Sequence, residues 1–154
     1  MATKLLRDVV EADLPIFFEH QRDPEATRMA LFLSRDEAAF TTHWQGILAN
    51  DELTKKTVLF EGEVAGNIVS FPRDGKQLVG YWIGREFWGK GLATQALAEL
   101  LTELTVRPLY AEVAMTNLGS IRVLEKCGFT LSSQETELDK TFGEIELGVW
   151  VLRS

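Results

Sequence analysis

The chain has 154 residues, of which 45% are hydrophobic and 25% charged, the proportions of an ordinary folded domain. Its formal net charge is -7, which argues against nucleic acid as the main partner because binding to phosphates requires a basic surface. The same charge is compatible with a cationic substrate such as an amine, although many proteins are acidic merely for solubility.

The single cysteine, Cys127, cannot form an internal disulfide and therefore indicates a reducing compartment. The first residues contain no apolar segment of signal-peptide length, and no uncharged stretch is long enough to span a bilayer. The connections between elements are short, and no repeat or linker interrupts them. We therefore expect one domain over residues 1–154, located in the cytoplasm and without a membrane partner.

The N-terminal part of the chain predicts a strand followed by two helices. The strand covers residues 4–10, and the first helix covers residues 12–21 and ends where Asp23-Pro24 breaks the pattern. The second helix is predicted to begin at Ser34, because Ser34 and Glu37 have the Ser-x-x-Glu spacing of a capping box.

Three strands and the clearest helix follow. The strands cover residues 57–60, 64–71 and 78–83, and the two glycine-containing turns between them are typical of hairpins. The helix covers residues 90–105, in which leucines and alanines recur at helical spacing, and it ends at Arg107-Pro108.

The C-terminal part predicts a central strand, a helix and two further strands. Residues 109–115 are apolar on both faces, and the helix over residues 117–126 is ended by Gly128. The last strands cover residues 129–132 and 144–152, and the charged residues 135–140 between them read as a solvated loop.

The resulting element order is β-α-α-β-β-β-α-β-α-β-β. Three consecutive antiparallel strands lead into a strand–helix–strand unit, which predicts an α/β (α+β) fold with a mixed central sheet. The sheet has about seven strands and is flanked by helices.

The turn that joins the third hairpin strand to the strongest helix is a candidate phosphate site. Gly89, Gly91 and Ala93 keep side chains away from the first N–H groups of the helix, which have no internal partner and attract anions. A pyrophosphate could bind there, with Lys90 adding charge at the rim. An ordinary helix start that needs glycines for tight packing explains the turn about equally well. The glycine spacing is neither that of a P-loop nor that of a Rossmann fold.

Two stretches of the sequence resemble the motifs of the GNAT superfamily of N-acetyltransferases. The first reads Trp88-Gly89-Lys90-Gly91-Leu92-Ala93, which is similar to the acetyl-CoA motif Gln/Arg-x-x-Gly-x-Gly/Ala. Tryptophan is common at the first position in the branch that resembles the ribosomal-protein N-terminal acetyltransferases (RimJ/RimL-like). The second stretch, residues 117–129, is similar to the family's Asn-x-x-[Ala/Ser] helix followed by Gly-Phe. The element order extends the resemblance over nearly the whole chain.

This resemblance implies a GNAT-type acyl-CoA N-acyltransferase fold and acetyl transfer from acetyl-CoA to a primary amine. The acceptor is a protein N-terminus or a small molecule, which attacks directly in a ternary complex without a metal. Homodimers are frequent among similar domains, but nothing in the sequence marks an interface. The residues implied in cofactor binding are Tyr81, Trp82, Ile83, Trp88, Gly89, Lys90, Gly91, Ala93, Thr94 and Asn117. Of these, Tyr81, Trp82 and Ile83 are implied to act through their backbone groups, one of which donates to the oxyanion.

Glu112 is the candidate general base. It stands in an otherwise apolar central strand, where a carboxylate tends to have a raised pKa and to serve a function. The resemblance adds that relatives with ribosomal-protein activity have their general base at the matching place. A glutamate that reaches solvent at the open end of the sheet is the alternative.

The general acid is less evident, because Leu124 stands where many GNAT enzymes have the tyrosine that protonates the leaving thiolate. Ser120, one helical turn earlier, is a candidate to hydrogen-bond the sulfur, and an ordinary first-turn helix serine is its alternative. Asn117 is predicted to cap this helix. The missing tyrosine also keeps open a non-catalytic CoA-binding or regulatory domain, or an interaction module that retains only the fold.

The remaining chemically active side chains favour structural roles. Cys127 reads as a small core residue rather than a nucleophile. His20 and His43 read as surface or partly buried helix residues, since nothing supplies metal-ligand spacing.

Overall fold

The computed structural model describes residues 5–31 and 34–154, and within them a mixed seven-stranded sheet is flanked by helices. The N-terminal elements are β1 (Leu6–Asp8), α1 (Leu14–Arg22), α2 (Pro24–Ala30), α3 (Glu37–Ala49), β2 (Thr54–Phe60), β3 (Glu63–Arg73) and β4 (Lys76–Ile83). The C-terminal elements are α4 (Leu92–Glu103), β5 (Leu109–Ala114), α5 (Leu118–Lys126), β6 (Thr130–Asp139) and β7 (Gly143–Leu152). None of the helices in the described ranges is long and apolar enough to cross a membrane.

The strand order in the sheet is β1-β2-β3-β4-β5-β7-β6. The pair β4–β5 is parallel and every other pair is antiparallel, so the predicted mixed sheet is confirmed. The β4–β5 ladder joins Gln77 to Leu109 and Leu78 to Tyr110, and among the described residues it goes no further. The C-terminal halves of these two central strands therefore have backbone groups that face a gap instead of each other.

The two faces of the sheet carry different helices. Helices α4 and α5 cover a core cluster in which Ala96, Leu97, Leu100 and Leu124 are fully buried. Helices α1 and α3 cover the other face with a smaller cluster around Phe17, Phe40 and Trp44. Alternate side chains of a strand point to opposite faces, so each central strand contributes to both layers.

Helix α2 is an element that the sequence interpretation missed. Asp23-Pro24 does end α1, but the Asp23 side chain accepts a hydrogen bond from the N–H of Ala26 at 3.0 Å, and Pro24 occupies the first helical position. Proline is favoured there because the N–H it lacks has no partner in a helix. The dipeptide therefore both ends one helix and begins the next, and a third helix precedes β2.

The predicted start of the next helix at Ser34 is also wrong. Ser34 lies outside the helix, and the Asp36 side chain accepts from the N–H of Ala39 at 2.8 Å, which starts α3 at Glu37. Aspartate caps helices at least as well as serine, so the nearer aspartate sets the boundary.

The charged residues 135–140 do not form the predicted loop, because β6 continues to Asp139. Glu135 pairs with Leu147 and Asp139 with Gly143 on β7. Strand β6 is at the edge of the sheet, and its residues before Asp139 are exposed. A strand with solvent on both faces needs no alternating apolar residues, so its sequence resembles a loop.

Candidate active site

A cavity of about 420 Å³ opens where β4 and β5 diverge, a volume within the range of small-molecule sites. Its walls come from β4, the turn before α4, β5, the start of α5 and helix α2. All of the site residues predicted from the sequence line it except Lys90: Tyr81, Trp82, Ile83, Trp88, Gly89, Gly91, Ala93, Thr94, Glu112, Asn117 and Ser120. The fold thus brings both sequence motifs to one place.

The glycine turn has the geometry of an anion site. Gly89 and Gly91 have φ values of 79° and 73°, which a side chain would strain, and Gly91 is the N-cap of α4. A Cβ at Gly89 would meet no atom within 4 Å beyond those of the glycine and its two chain neighbours. Gly91, Leu92 and Ala93 line the cavity, so the start of α4, where N–H groups have no partner within the helix, lies at its wall.

Two side chains flank this turn. Trp88 packs along the turn, and its indole N–H donates to the carbonyl oxygen of Ile83 at 2.9 Å. The Nζ atom of Lys90 lies 5.3 Å from the centroid of the Phe60 ring and outside the cavity wall. Lys90 is thus positioned beside the turn rather than in the cavity.

Glu112 lies on the cavity wall in a more polar setting than its neighbours suggest. Ala111 and Val113 are buried beneath α4 and α5, whereas the side chain of Glu112 points to the opposite face, is 37% exposed and forms an ion pair with Arg73. The apolar surroundings that the sequence suggested are found on one face of β5 only. The carboxylate of Glu112 therefore has a cationic partner and lies outside the apolar core.

Ser120 is hydrogen-bonded to a residue whose side chain the sequence analysis left without a role. The Tyr81 hydroxyl donates to the carbonyl oxygen of Ser120 at 3.1 Å and lies 2.8 Å from its Oγ. Burial raises the pKa of Tyr81 and outweighs the opposing effect of the Ser120 hydrogen bond, so the phenol is neutral at physiological pH. Strand alternation could have indicated this contact, because it directs Tyr81 and Trp82 to opposite faces.

The start of α5 is fixed as predicted, and Leu124 has no chemical part in the site. The Asn117 side chain accepts from the N–H of Ser120 at 3.3 Å and so caps the helix. Leu124 is fully buried in the core beneath α5. The side chain at this position therefore packs in the core and presents no hydroxyl to the cavity.

Helix α2 forms the wall of the cavity opposite α5. Ala26, Met29 and Ala30 line it, and the Thr116 hydroxyl donates to the carbonyl oxygen of Met29 at 3.5 Å. The indole N–H of Trp82 donates to the carbonyl oxygen of His20 at 3.1 Å, which joins β4 to α1.

The cysteine and histidines lie apart from this chemistry. Burial raises the pKa of the Cys127 thiol, which donates to the carbonyl oxygen of Thr94 at 3.6 Å, so the predicted packing role is confirmed. His20 is 7% exposed, more buried than predicted, and desolvation lowers its pKa. Desolvation also lowers the pKa of His43. Within the described ranges, no group of three or more His, Cys, Asp and Glu side chains could hold a metal ion.

Comparison with known proteins identifies the family. Residues 5–130 match the acetyltransferase (GNAT) domain family. The uncharacterized N-acetyltransferase p20 of Bacillus licheniformis is 28% identical over 97 residues, which are 60% of this chain and 54% of that protein. The chain thus spans about half the length of this curated relative.

Solved structures share the fold over almost the whole chain. A ribosomal-protein-alanine N-acetyltransferase from Brucella melitensis is 22% identical with a TM-score of 0.82, covering 98% of this chain and 100% of that one. A spermidine N-acetyltransferase from Vibrio cholerae, in complex with CoA and spermine, is 16% identical with a TM-score of 0.81, covering 96% and 94%. At these identities the likeness is one of fold. On the match over residues 5–130, the chain belongs to the GNAT acetyltransferase family.

Proposed function

We propose that this protein transfers the acetyl group of acetyl-CoA to a primary amine by direct attack in a ternary complex. The observation that carries the proposal is the single cavity at the β4–β5 gap, which joins an open helix N-terminus, a carboxylate and a hydroxyl pair. These are the groups that acetyl transfer needs to hold a phosphate, accept a proton and stabilise a leaving sulfur. The lone cysteine and the acidic charge support a cytoplasmic location as part of the same proposal.

Acetyl-CoA supplies the acetyl group as a thioester, and the chain's residues fit its two ends. The N–H groups at Gly89 and Gly91 hold the pyrophosphate, with Lys90 nearby as a counter-charge. The cofactor-binding surface also includes Trp88, Ala93, Thr94 and Asn117.

The C-terminal half of β4 holds the arm that leads to the sulfur. Tyr81, Trp82 and Ile83 pair with β3 on one side and line the cavity beyond the end of the β4–β5 ladder, so an extended ligand can lie along this strand as an added strand does. One of these N–H groups donates to the oxygen of the reacting carbonyl.

Glu112 accepts the proton that the amine loses as it attacks. Its carboxylate lies on the cavity wall, and its ion pair with Arg73 holds it in place. Removing a positioned general base typically lowers turnover by about 10²- to 10⁴-fold.

Ser120 stabilises the leaving thiolate by donating its hydroxyl proton to the sulfur as a hydrogen bond. The Tyr81 phenol donates to the Ser120 carbonyl oxygen and also contacts the Ser120 hydroxyl, and this contact orients the hydroxyl beside the cavity. Tyr81 is therefore a positioning residue, and Leu124 takes no part.

The first test is a melting-temperature titration with acetyl-CoA, followed by an assay of CoA release with a panel of primary amines. Ligand at about 100 times its dissociation constant adds about 2.7 kcal/mol of stability, a shift on the order of 5 °C for a domain of this size. If the melting temperature does not shift up to millimolar acetyl-CoA, the protein does not bind this cofactor and the proposed activity is wrong.

A non-catalytic CoA-binding domain is the second candidate, and the burial of Leu124 at the usual tyrosine place is the observation that favours it. Such a domain gives the thermal shift but releases no CoA with any amine. Turnover that depends on Glu112 rejects it.

A further inference from the structure

We infer that the acceptor is a primary amine whose amine-bearing carbon carries only uncharged groups, and that free amino acids are poor acceptors. The inference rests on the proposed function, because it concerns the second substrate of the same cavity. It follows from the charges that the described residues place around that substrate.

The cavity has two sides, which the alternation of β4 and β5 separates. Tyr81 contacts Ser120 on α5, whereas Trp82 bonds to the carbonyl oxygen of His20 on α1. On β5, Ala111 and Val113 join the core beneath α4 and α5, so Glu112 between them faces the side where α2 packs against β5. We assign this second side to the acceptor, because the cofactor is held by the turn, α4 and α5.

The acceptor side is apolar apart from one carboxylate. Its wall consists of Ala26, Met29 and Ala30 from α2, with Trp82 and Ala114 from the strands. Among the described residues that line the whole cavity, Glu112 carries the only charge, and none is a lysine, arginine or histidine.

Several arginines on the elements around this side are already paired with acids, including Arg28 on α2 with Glu25. Arg73 is ion-paired with Glu112 itself. Arg85 contacts Asp23 at 3.3 Å, and Arg22 contacts Glu19 at 3.1 Å. A second carboxylate brought in by a substrate would therefore find no counter-charge on the wall.

A free amino acid necessarily brings that carboxylate in. The carboxylate is bonded to the carbon that bears the amine, so its oxygens lie within about 3 Å of the attacking nitrogen. It would lose water without gaining a partner, and it would be repelled by Glu112. An uncharged amide in the same place, as at the N-terminus of a peptide, keeps the shape without this cost.

The test compares valinamide with valine, which differ in this one group, and uses isobutylamine as the version without it. CoA release is followed at several pH values, and kcat/KM is calculated per unprotonated amine, so that differences in the protonated fraction drop out. We expect valinamide to exceed valine by about 100-fold, the effect of leaving a buried charge unpaired. Isobutylamine should stay within about tenfold of valinamide, because it too lacks the charge.

A substitution on the α2 wall gives the converse result. Met29 is half-buried on that wall, and Met29→Arg supplies the missing cation. We expect it to lower the valinamide-to-valine ratio by at least about tenfold, whereas Met29→Gln, a polar but uncharged control, leaves the ratio unchanged.

The outcomes separate the inference from the proposed function. Equal kcat/KM values for valine and valinamide overturn the inference and leave acetyl transfer standing. A thermal shift with acetyl-CoA but no acetylation of any of the three amines contradicts both the inference and the proposed acetyl transfer. It remains consistent with acetyl-CoA binding. No thermal shift with acetyl-CoA overturns the proposed function itself.

Discussion

The two faces of the sheet are stabilised by different kinds of contact. Each face borders one of the two proposed substrate sides of the cavity. The face beneath α4 and α5 rests on fully buried apolar side chains, including Leu97 and Leu100. The face beneath α1 to α3 adds polar anchors to a smaller aromatic cluster, chiefly the contacts of Asp13 and Gln21.

The two halves of the cavity also differ in whether backbone groups or side chains form their walls. The cofactor side is made largely of backbone groups whose positions follow from the start of a helix and the path of a strand. The acceptor side is made of side chains on α2, a helix of seven residues. Because fold alone does not determine the acceptor, we expect the side chains of the acceptor side to select the amine.

The largest effect is expected on the cofactor side. Gly91→Asp places a carboxylate at the N-terminus of α4, the proposed phosphate site, and we expect acetyl-CoA affinity to fall at least about 1,000-fold by titration calorimetry. The matched control is Gly62→Asp, since Gly62 also has a positive φ, 83°, but stands in the β2–β3 turn. Retained affinity in Gly91→Asp would show that the backbone of this turn is not the phosphate site.

On the acceptor side, Glu112→Gln should lower kcat by about 100-fold while acetyl-CoA binding persists, because the amide cannot accept the proton. Glu135→Gln on the exposed strand β6 is the control for loss of one negative charge. If Glu112→Gln retains its turnover, Glu112 is not the general base. The acceptor side would then contribute no proton acceptor that distinguishes it from the cofactor side.

The same contrast explains how much of the molecule was predictable. The glycine turn and the cap at Asn117 could be predicted because backbone geometry demands particular residues at fixed spacing, and the mixed sheet followed from the order of elements. Helix α2 was missed because Pro24 signals both the end and the start of a helix, and β6 was shortened because an edge strand needs no apolar pattern.

The partners of individual side chains were beyond the sequence for a different reason. Glu112 meets Arg73 across 39 positions of the chain, and Tyr81 meets Ser120 across another 39. Such contacts depend on the register of strands and on the packing of α5, which no local pattern encodes. The sequence therefore predicted most of the residues that line the cavity but not the way in which they interact.

A third prediction concerns the polar anchor of the acceptor face. Asp13 is 2% exposed and accepts from both Arg7 terminal nitrogens at 2.8 Å and from the Thr57 hydroxyl at 2.6 Å. We expect Asp13→Asn to lower the free energy of unfolding by about 2 kcal/mol in urea titrations at neutral pH. The KM for the amine should rise while acetyl-CoA affinity is kept, and the exposed Asp51→Asn is the control.

The pH dependence of this effect has a definite sign. Burial opposes ionisation of Asp13, but the hydrogen bonds from Arg7, Thr57 and the Val10 N–H outweigh it, and its pKa lies below the usual value. The stabilisation is therefore complete above the unfolded-state pKa of about 3.9 and is lost as pH falls through the lower folded-state pKa. The difference between wild type and Asp13→Asn should shrink in that acidic range, and a difference that stayed constant there would contradict the ionic anchor.

The smallest effect tests whether the two hydroxyls on the cofactor side act as a pair. Ser120→Ala should lower kcat by about tenfold because it removes the donor to the thiolate, and Tyr81→Phe by about threefold because it only frees the serine from its positioning contact. In the double variant the Tyr81 substitution should have no further effect on kcat, since its influence passes through Ser120. Multiplied rather than overlapping losses would give Tyr81 a contact of its own with the substrates. The two hydroxyls on the cofactor side would then contribute independently, and either could be substituted without affecting the other, as Met29 can on the acceptor wall.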